Sequence, residues 1–305
     1  MRMNRFLRFS ALAVALLLGT TLGVETIAQN AGPPANKLGT VERDVRYCTA
    51  GAVDLNMDVY YPNAANGALP VAIYVHGGGW SSGDKAKGAG SRDIPELKSR
   101  GYLVVAVNYR LAPQFKFPTM IEDVKCAVRS LRANAALYGL DPQRIGAWGG
   151  SAGGHLVSLL GVTDKSADLE GSGQFLEQSS RVQAVVDMFG PIDLTLAFGD
   201  TPSVFNKAFG ATSADDDILK VASPTNWVSS DDPPFLLLHG AMDDLVPPSQ
   251  SQLFLESLQQ AGVTASLVMV ENAGHGFVPS GGRINPSRSQ ISSLVGDFFD
   301  TYLKN

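Results

Sequence analysis

Residues 146–155 read GAWGGSAGGH, and a single serine, Ser151, stands in them walled by glycines after an apolar run. A chain gathers residues without a Cβ where a turn is too sharp, or a packing contact too close, for a side chain. Gly149-x-Ser151-x-Gly153 matches G-x-S-x-G, in which the serine sits on a strained strand-to-helix turn with its Oγ exposed. The glycines two residues to either side make room for that turn, and Gly153-Gly154 lets the following helix pack closely. The flanks agree: residues 145–148 predict a strand and residues 155–160 an apolar helix. A phosphate cradle does not fit. No Lys-Ser/Thr follows in P-loop spacing, and no G-x-G-x-x-G opens an N-terminal βαβ unit.

Outward from this stretch, residues 71–75, 103–107, 182–189 (apart from Gln183 and Asp187), 235–238 and 267–270 are short apolar runs without alternation. Such runs predict strands buried on both faces, as in a parallel sheet. Residues 41–47 and 53–60 instead alternate, with Val53, Leu55, Met57 and Val59 on one face, and predict an antiparallel hairpin at a sheet edge. Across residues 118–138 the apolar positions Ile121, Val124, Val128, Leu131 and Ala135 step by three and four, and Gly139 comes next as a C-cap, so this segment reads as a helix. Strands alternating with helices predict an α/β fold with a mostly parallel, doubly wound sheet. Ligands bind such sheets beyond the carboxyl ends of the strands. Polar, glycine-rich segments stand at the ends of the runs: His76-Gly-Gly-Gly-Trp80, Gly149 to Gly154, His239-Gly-Ala-Met-Asp-Asp244 and Glu271-Asn-Ala-Gly-His-Gly276. That is an active-site layout. Residues 163–180 and 194–232, rich in Gly, Ser, Asp and Pro, read as loops or a small partial lid, and Asp215-Asp-Asp217 as a solvated helix start.

The first residues form a separate unit. Arg2, Arg5 and Arg8 precede an apolar run over 11–18, and Thr26-Ile27-Ala28 offers small residues for cleavage. Residues 1–28 therefore read as a secretory signal, with Gly23 as a second cleavage point and an uncleaved anchor as the alternative. The run is short for a membrane span, so no stable membrane insertion is expected after cleavage. Residues 29–40 read as a flexible lead-in and 41–305 as the catalytic domain. An exported protein, periplasmic or secreted, is expected. With 24 Lys+Arg against 29 Asp+Glu and no basic cluster, the chain lacks a nucleic-acid footprint. Export makes the two cysteines, Cys48 and Cys126, a disulfide candidate; the alternative is two buried thiols. No CxxC or histidine cluster suggests a metal site, and no cofactor is implied.

A serine hydroxyl is a weak nucleophile at neutral pH and needs a base. The chain has four histidines. His76 and His239 each precede a glycine at a strand end and read as loop-shaping. His155, four residues after Ser151, points into the fold. His275 lies between glycines on the last strand-to-helix loop and is the candidate base. With G-x-S-x-G the partners come in the order Ser, acid, His. Asp243 and Asp244 both lie between serine and histidine, and Asp193 is a more distant, structural candidate. The glycines after His76 leave a loop with unobstructed N–H groups. Those of Gly78 and Gly79, with that of Ala152, form the expected oxyanion hole, and Trp80 N–H is an alternative donor.

Together these residues resemble the α/β-hydrolase superfamily over nearly the whole mature chain. HGGGW, Asn108-Tyr-Arg-Leu-Ala-Pro113, Asp141-Pro-Gln-Arg-Ile145 and GGSAGG look like the hormone-sensitive-lipase-like esterases. Gly150 stands where that group has an acidic residue, and too few residues lie between the expected signal and the first strand for that group's long helical N-terminal cap. His239-Gly-Ala-Met-Asp-Asp-Leu-Val-Pro247 looks instead like the HGxxDxxVP loop of carbohydrate esterases and prolyl-oligopeptidase-type hydrolases, in which the aspartate four residues after the histidine is the acid. This resemblance selects Asp243. The mixture is similar to the bifunctional feruloyl/acetylxylan esterase-like group. It implies an α/β-hydrolase fold and a serine esterase, acting through Ser151, Asp243 and His275 on short acyl or feruloyl/acetyl esters of carbohydrates or other small alcohols. Formamidases also carry HGGxW-type loops, so an amide-cleaving hydrolase, formamidase or peptidase-like, is the alternative. A catalytically dead binding fold is the third reading, and the retained triad argues against it.

Overall fold

The computed structural model describes residues 31–197, 199 and 201–304. The expected signal over residues 1–28 lies outside the described residues. The strands are β1 (Val41–Ala50), β2 (Val53–Tyr60), β3 (Leu69–Val75), β4 (Leu103–Val107), β5 (Leu140–Gly150), β6 (Ala184–Met188), β7 (Phe235–Gly240) and β8 (Ala265–Val270). The α-helices are α1 (Ile94–Ser99), α2 (Thr119–Ala133), α3 (Ala135–Tyr138), α4 (Ala152–Val162), α5 (Leu194–Ala197), α6 (Pro202–Phe209), α7 (Asp217–Ala222), α8 (Ser249–Gln260) and α9 (Arg288–Leu303).

All eight strands form one sheet in the order β1-β2-β4-β3-β5-β6-β7-β8. β2 is antiparallel to both β1 and β4, and the remaining pairs are parallel. Every residue of β3, β4, β6 and β7 is buried, because helices cover both faces. On one face Ile94 and Leu97 of α1 pack with Ile291, Val295 and Phe299 of α9. On the other, α2, α4 and α8 contribute Ile121, Val124, Leu156, Leu159, Phe254 and Leu258. β3 has β4 on one side and β5 on the other. The loops leaving β3 and β5 therefore emerge side by side, at the switch point where such sheets bind ligands.

Two expectations change. The helix expected over 118–138 breaks at Asn134, whose backbone leaves the helical region (φ −108°, ψ 25°). Its side-chain amide donates to Ser130 O at 2.8 Å, the local competition with backbone that asparagine favours. Gly139 does cap the second piece, in the left-handed region at φ 63°. Within the lead-in over 29–40 the described residues make backbone contacts. Residues Ala35–Lys37 form a 3-10 turn, and Gly39 N–H donates to Pro62 O at 2.8 Å. The described part of residues 194–232 holds three short α-helices and a 3-10 turn. In α6 the buried Phe205, Ala208 and Phe209 stand at helical spacing, but one or two turns are too brief for periodicity to stand out from the surrounding Gly, Ser and Asp. This segment forms the small lid. Residues 163–180 pack elsewhere, with Glu170 paired to the buried Lys125 and Arg129 of α2.

Cys48 of β1 and Cys126 of α2 are bonded, with Cα atoms 6.4 Å apart at a sequence separation of 78. The bridge fastens the edge hairpin to the helix layer. Closing a loop of that length removes unfolded-state entropy worth roughly 4 kcal/mol in the chain-entropy model. Cys126→Ser, or reduction of the native chain, is expected to lower the urea midpoint accordingly. An unchanged midpoint in reductant would show that the bridge contributes nothing.

Asp187 of β6 is fully buried. Its Oδ1 accepts the Gly190 N–H at 3.0 Å, while Oδ2 has no hydrogen-bond partner among the described residues. Burial pushes the carboxyl up from 3.8 to about 6, against the opposing pull of His239, the Gly190 N–H and Ser158. The folded state then holds this proton more tightly than the unfolded chain does. Its contribution to stability is full below about pH 4 and is lost as pH rises through about 6. Asp187→Asn keeps an acceptor for Gly190 and removes the charge. The variant is expected to gain on the order of 2–3 kcal/mol over the native protein between pH 4.5 and pH 8. Denaturant melts at the two pH values measure this, and an equal gap at both would refute it.

Candidate active site

Ser151 sits between β5 and α4 with φ 57° and ψ −125°, a strained conformation for a residue with a side chain. Its N–H donates to Met188 O at the end of β6 (2.9 Å), and its carbonyl accepts His155 N–H (2.9 Å) to open the helix. The surrounding glycines have no room for a side chain. A Cβ on Gly149 would lie 2.5 Å from Gly153 C, one on Gly153 2.2 Å from Val75 O, and one on Gly154 2.2 Å from Asp187 Oδ1. The helix start is thus pressed against both β3 and β6. At Gly150 a Cβ would lie 2.9 Å from the Phe189 ring, so that ring fills the space beside the serine.

His275 opens the 3-10 turn His275–Phe277 after β8. Its Nε2 stands 2.9 Å from Ser151 Oγ and its Nδ1 2.8 Å from Asp243 Oδ2. Asp243 lies in the turn after β7, and its Oδ1 accepts the N–H groups of Leu245 (3.0 Å) and Val246 (2.9 Å). His239 Nε2 lies 3.5 Å from Asp243 Oδ2 and bonds more closely to Val246 O at 2.8 Å, while its Nδ1 is 2.7 Å from Ser251 Oγ. Burial pushes the Asp243 carboxyl up, but His239, His275 and the Val246 N–H outweigh it and hold the group well below the usual carboxylate range. An ionised carboxylate only accepts, so His275 Nδ1 carries the proton and bare Nε2 accepts from the serine hydroxyl.

The other candidates have different places. Asp244 is exposed. Asp193 Oδ1 accepts from Thr195 N–H and Leu196 N–H within its own turn. His76 stacks on Tyr109 with ring centroids 4.4 Å apart and lies under the glycine loop. His155 is buried; its Nδ1 accepts the Trp80 indole N–H at 3.1 Å and its Nε2 donates to Ala222 O at 2.7 Å. Burial pushes its pKa down to about 4, so it stays neutral and positions Trp80.

Gly78, Gly79 and Trp80 all have positive φ (115°, 57° and 55°), and a Cβ on Gly78 would stand 2.1 Å from Ser82 O. Gly79 and Ala152 border the same cavity of about 130 Å³ as Ser151. Gly78 borders only the adjoining open groove of about 390 Å³, with Ser151, His275, Asp84 and Lys87. Ala152 is the first residue of α4, so its N–H has no acceptor within the helix. One residue the sequence reading missed is Phe189, at φ 46°, whose ring meets the His275 imidazole edge-on at 4.9 Å. In sequence it is merely the end of an apolar run.

The BD-FAE family model matches residues 57–258, more than half of the chain. Esterase LipQ of Mycobacterium tuberculosis is 34% identical over 252 residues, covering 80% of this chain and 59% of that protein. The probable carboxylic ester hydrolase LipM of the same organism is 36% identical over 200 residues, covering 64% of this chain and 46% of its own length. The chain therefore spans about half the length of these curated relatives. Among solved structures, a truncated carbohydrate esterase from gut microbiota superposes with a TM-score of 0.77 at 31% identity, covering 90% of this chain and all of that one. Propionate-bound esterase 2 of Thermogutta terrifontis superposes with a TM-score of 0.72 at 28% identity, covering 87% and 94%. The fold and these matches place the chain in the BD-FAE family, with an α/β-hydrolase fold.

Proposed function

We propose that this protein is a serine carboxylic-ester hydrolase acting on short acyl esters of carbohydrates or other small alcohols. The observation that carries the proposal is the pair of hydrogen bonds from Asp243 through His275 to Ser151, beside a cavity bordered by Gly79 and Ala152. In the proposed reaction Ser151 Oγ attacks the ester carbonyl while His275 Nε2 takes its proton. Asp243 holds the tautomer and stabilises the imidazolium. The N–H groups of Gly79 and Ala152, with that of Gly78 at the rim, receive the developing oxyanion. His275 then gives its proton to the departing alcohol. Water, activated by the same imidazole, releases the acid and restores the serine.

The likeness to a carbohydrate esterase supports sugar-linked esters as substrates. The wide groove beside His275 supports a bulky alcohol. The disulfide supports export to the periplasm or beyond, since such bridges persist in oxidising compartments.

Hydrolysis of p-nitrophenyl acetate, acetylated xylan and methyl ferulate by residues 29–305 tests this reading, with an acetanilide as the amide control. Ser151→Ala is expected to lower kcat by at least roughly three orders of magnitude, and Asp243→Asn by two to four. Full ester turnover by Ser151→Ala would refute the proposal. Amide turnover matching the esters would move the reading to an amidase.

A further inference from the structure

Two cavities meet at Ser151, and they differ in which catalytic groups they touch. The wide groove contains His275; the narrow cavity does not, and contains Ala152 instead. The departing alcohol must take its proton from His275 Nε2, so the alcohol belongs in the wide groove. With the carbonyl oxygen turned toward Gly79 and Ala152, the acyl chain then enters the narrow cavity.

That cavity is walled by Trp80, Pro191, Val204, Phe205 and Val246. Its floor is fixed. The Trp80 ring lies 5.9 Å from Phe205 and 4.9 Å from Phe209, its indole N–H is bonded to His155, and His155 is bonded to Ala222 O. On the lid side, Val204 of α6 reaches over the oxyanion loop, and its Cγ1 lies 3.7 Å from where a Cβ on Gly79 would stand. An apolar cavity of about 150 Å³ accommodates one benzene molecule. The cavity here is about 130 Å³. A hydroxycinnamoyl group carries a substituted ring on a three-carbon arm and exceeds it, whereas acetyl, propionyl and butyryl groups fit.

Resting on the esterase reading above, we infer that the narrow cavity is the acyl subsite, that it accepts short aliphatic acyl groups and rejects hydroxycinnamoyl groups, and that Val204 sets its limit. The lid helix α6 selects the acid half of the ester, and the groove beside His275 tolerates a large alcohol.

The test is kcat/KM for p-nitrophenyl acetate, butyrate, octanoate and ferulate with the native protein, Val204→Ala and Val204→Phe, expressed as ratios to acetate so that differences in folded fraction cancel. The native enzyme is expected to favour acetate or butyrate over octanoate and ferulate by at least about tenfold. Val204→Ala is expected to raise the octanoate ratio several-fold, and Val204→Phe to lower the butyrate ratio several-fold. Octanoate or ferulate turned over as well as acetate by the native enzyme would overturn the inference. So would ratios that neither variant moves, and in both cases the esterase reading would stand. No turnover of any ester would overturn the esterase reading and the acyl assignment with it.

Discussion

The structure depends on one steric constraint: the start of α4 must press against β3 and β6 at distances no Cβ permits. Gly149, Gly153 and Gly154 meet Val75 O, Asp187 Oδ1 and one another there. This contact holds Ser151 at φ 57°. A conformation of that kind costs on the order of 1–3 kcal/mol and persists only where its surroundings over-determine it. The N–H bond to Met188 O and the helix-opening bond to His155 supply part of that determination. Because β3 also feeds the glycine loop, the same contact sets the distance between the serine and Gly79.

A second constraint is electrostatic. Asp243 has no exposed side-chain surface, and an ionised carboxylate stays there only because donors surround it. Leu245 and Val246 supply two N–H groups and His275 a third. His239, fixed by Ser251 and Val246, closes the remaining side. The tight turn after β7 is thus as much a part of the geometry around His275 as the carboxylate itself. Asp187, one strand away, shows the contrast: it is equally buried, lacks such a set of donors, and has its pKa pushed up to about 6.

Around this rigid centre the variable parts are short. The lid amounts to α5, α6 and α7, and it covers one side of the serine with Ala197, Thr201, Val204 and Phe205. The other side stays open between the glycine loop and His275. No described helix is long and apolar enough to cross a membrane.

Much of this was legible in the amino-acid sequence. Apolar runs without alternation marked β3, β4, β6 (broken there by Asp187) and β7, because strands buried on both faces leave no polar period, and G-x-S-x-G between such a run and an apolar helix marked the elbow. Ser151, His275 and an acid at Asp243 or Asp244 were readable because each comes after a strand, and strand ends share one edge of a parallel sheet; the resemblance to the HGxxDxxVP loop chose Asp243. Tertiary structure alone decided the rest. Nothing local distinguishes Phe189 from any other apolar strand residue; its place against His275 and over Gly150 comes from β6 lying beside β5. The sequence turns His155 into the fold, and only the packing of α4 against Trp80 and Ala222 gave it a positioning role. The lid helices were too short to leave a period. The bridge between Cys48 and Cys126 required β1 and α2 to come within 6.4 Å. Sequence pattern determines which groups stand at strand ends, while the distances between them belong to the packing of elements far apart in the chain.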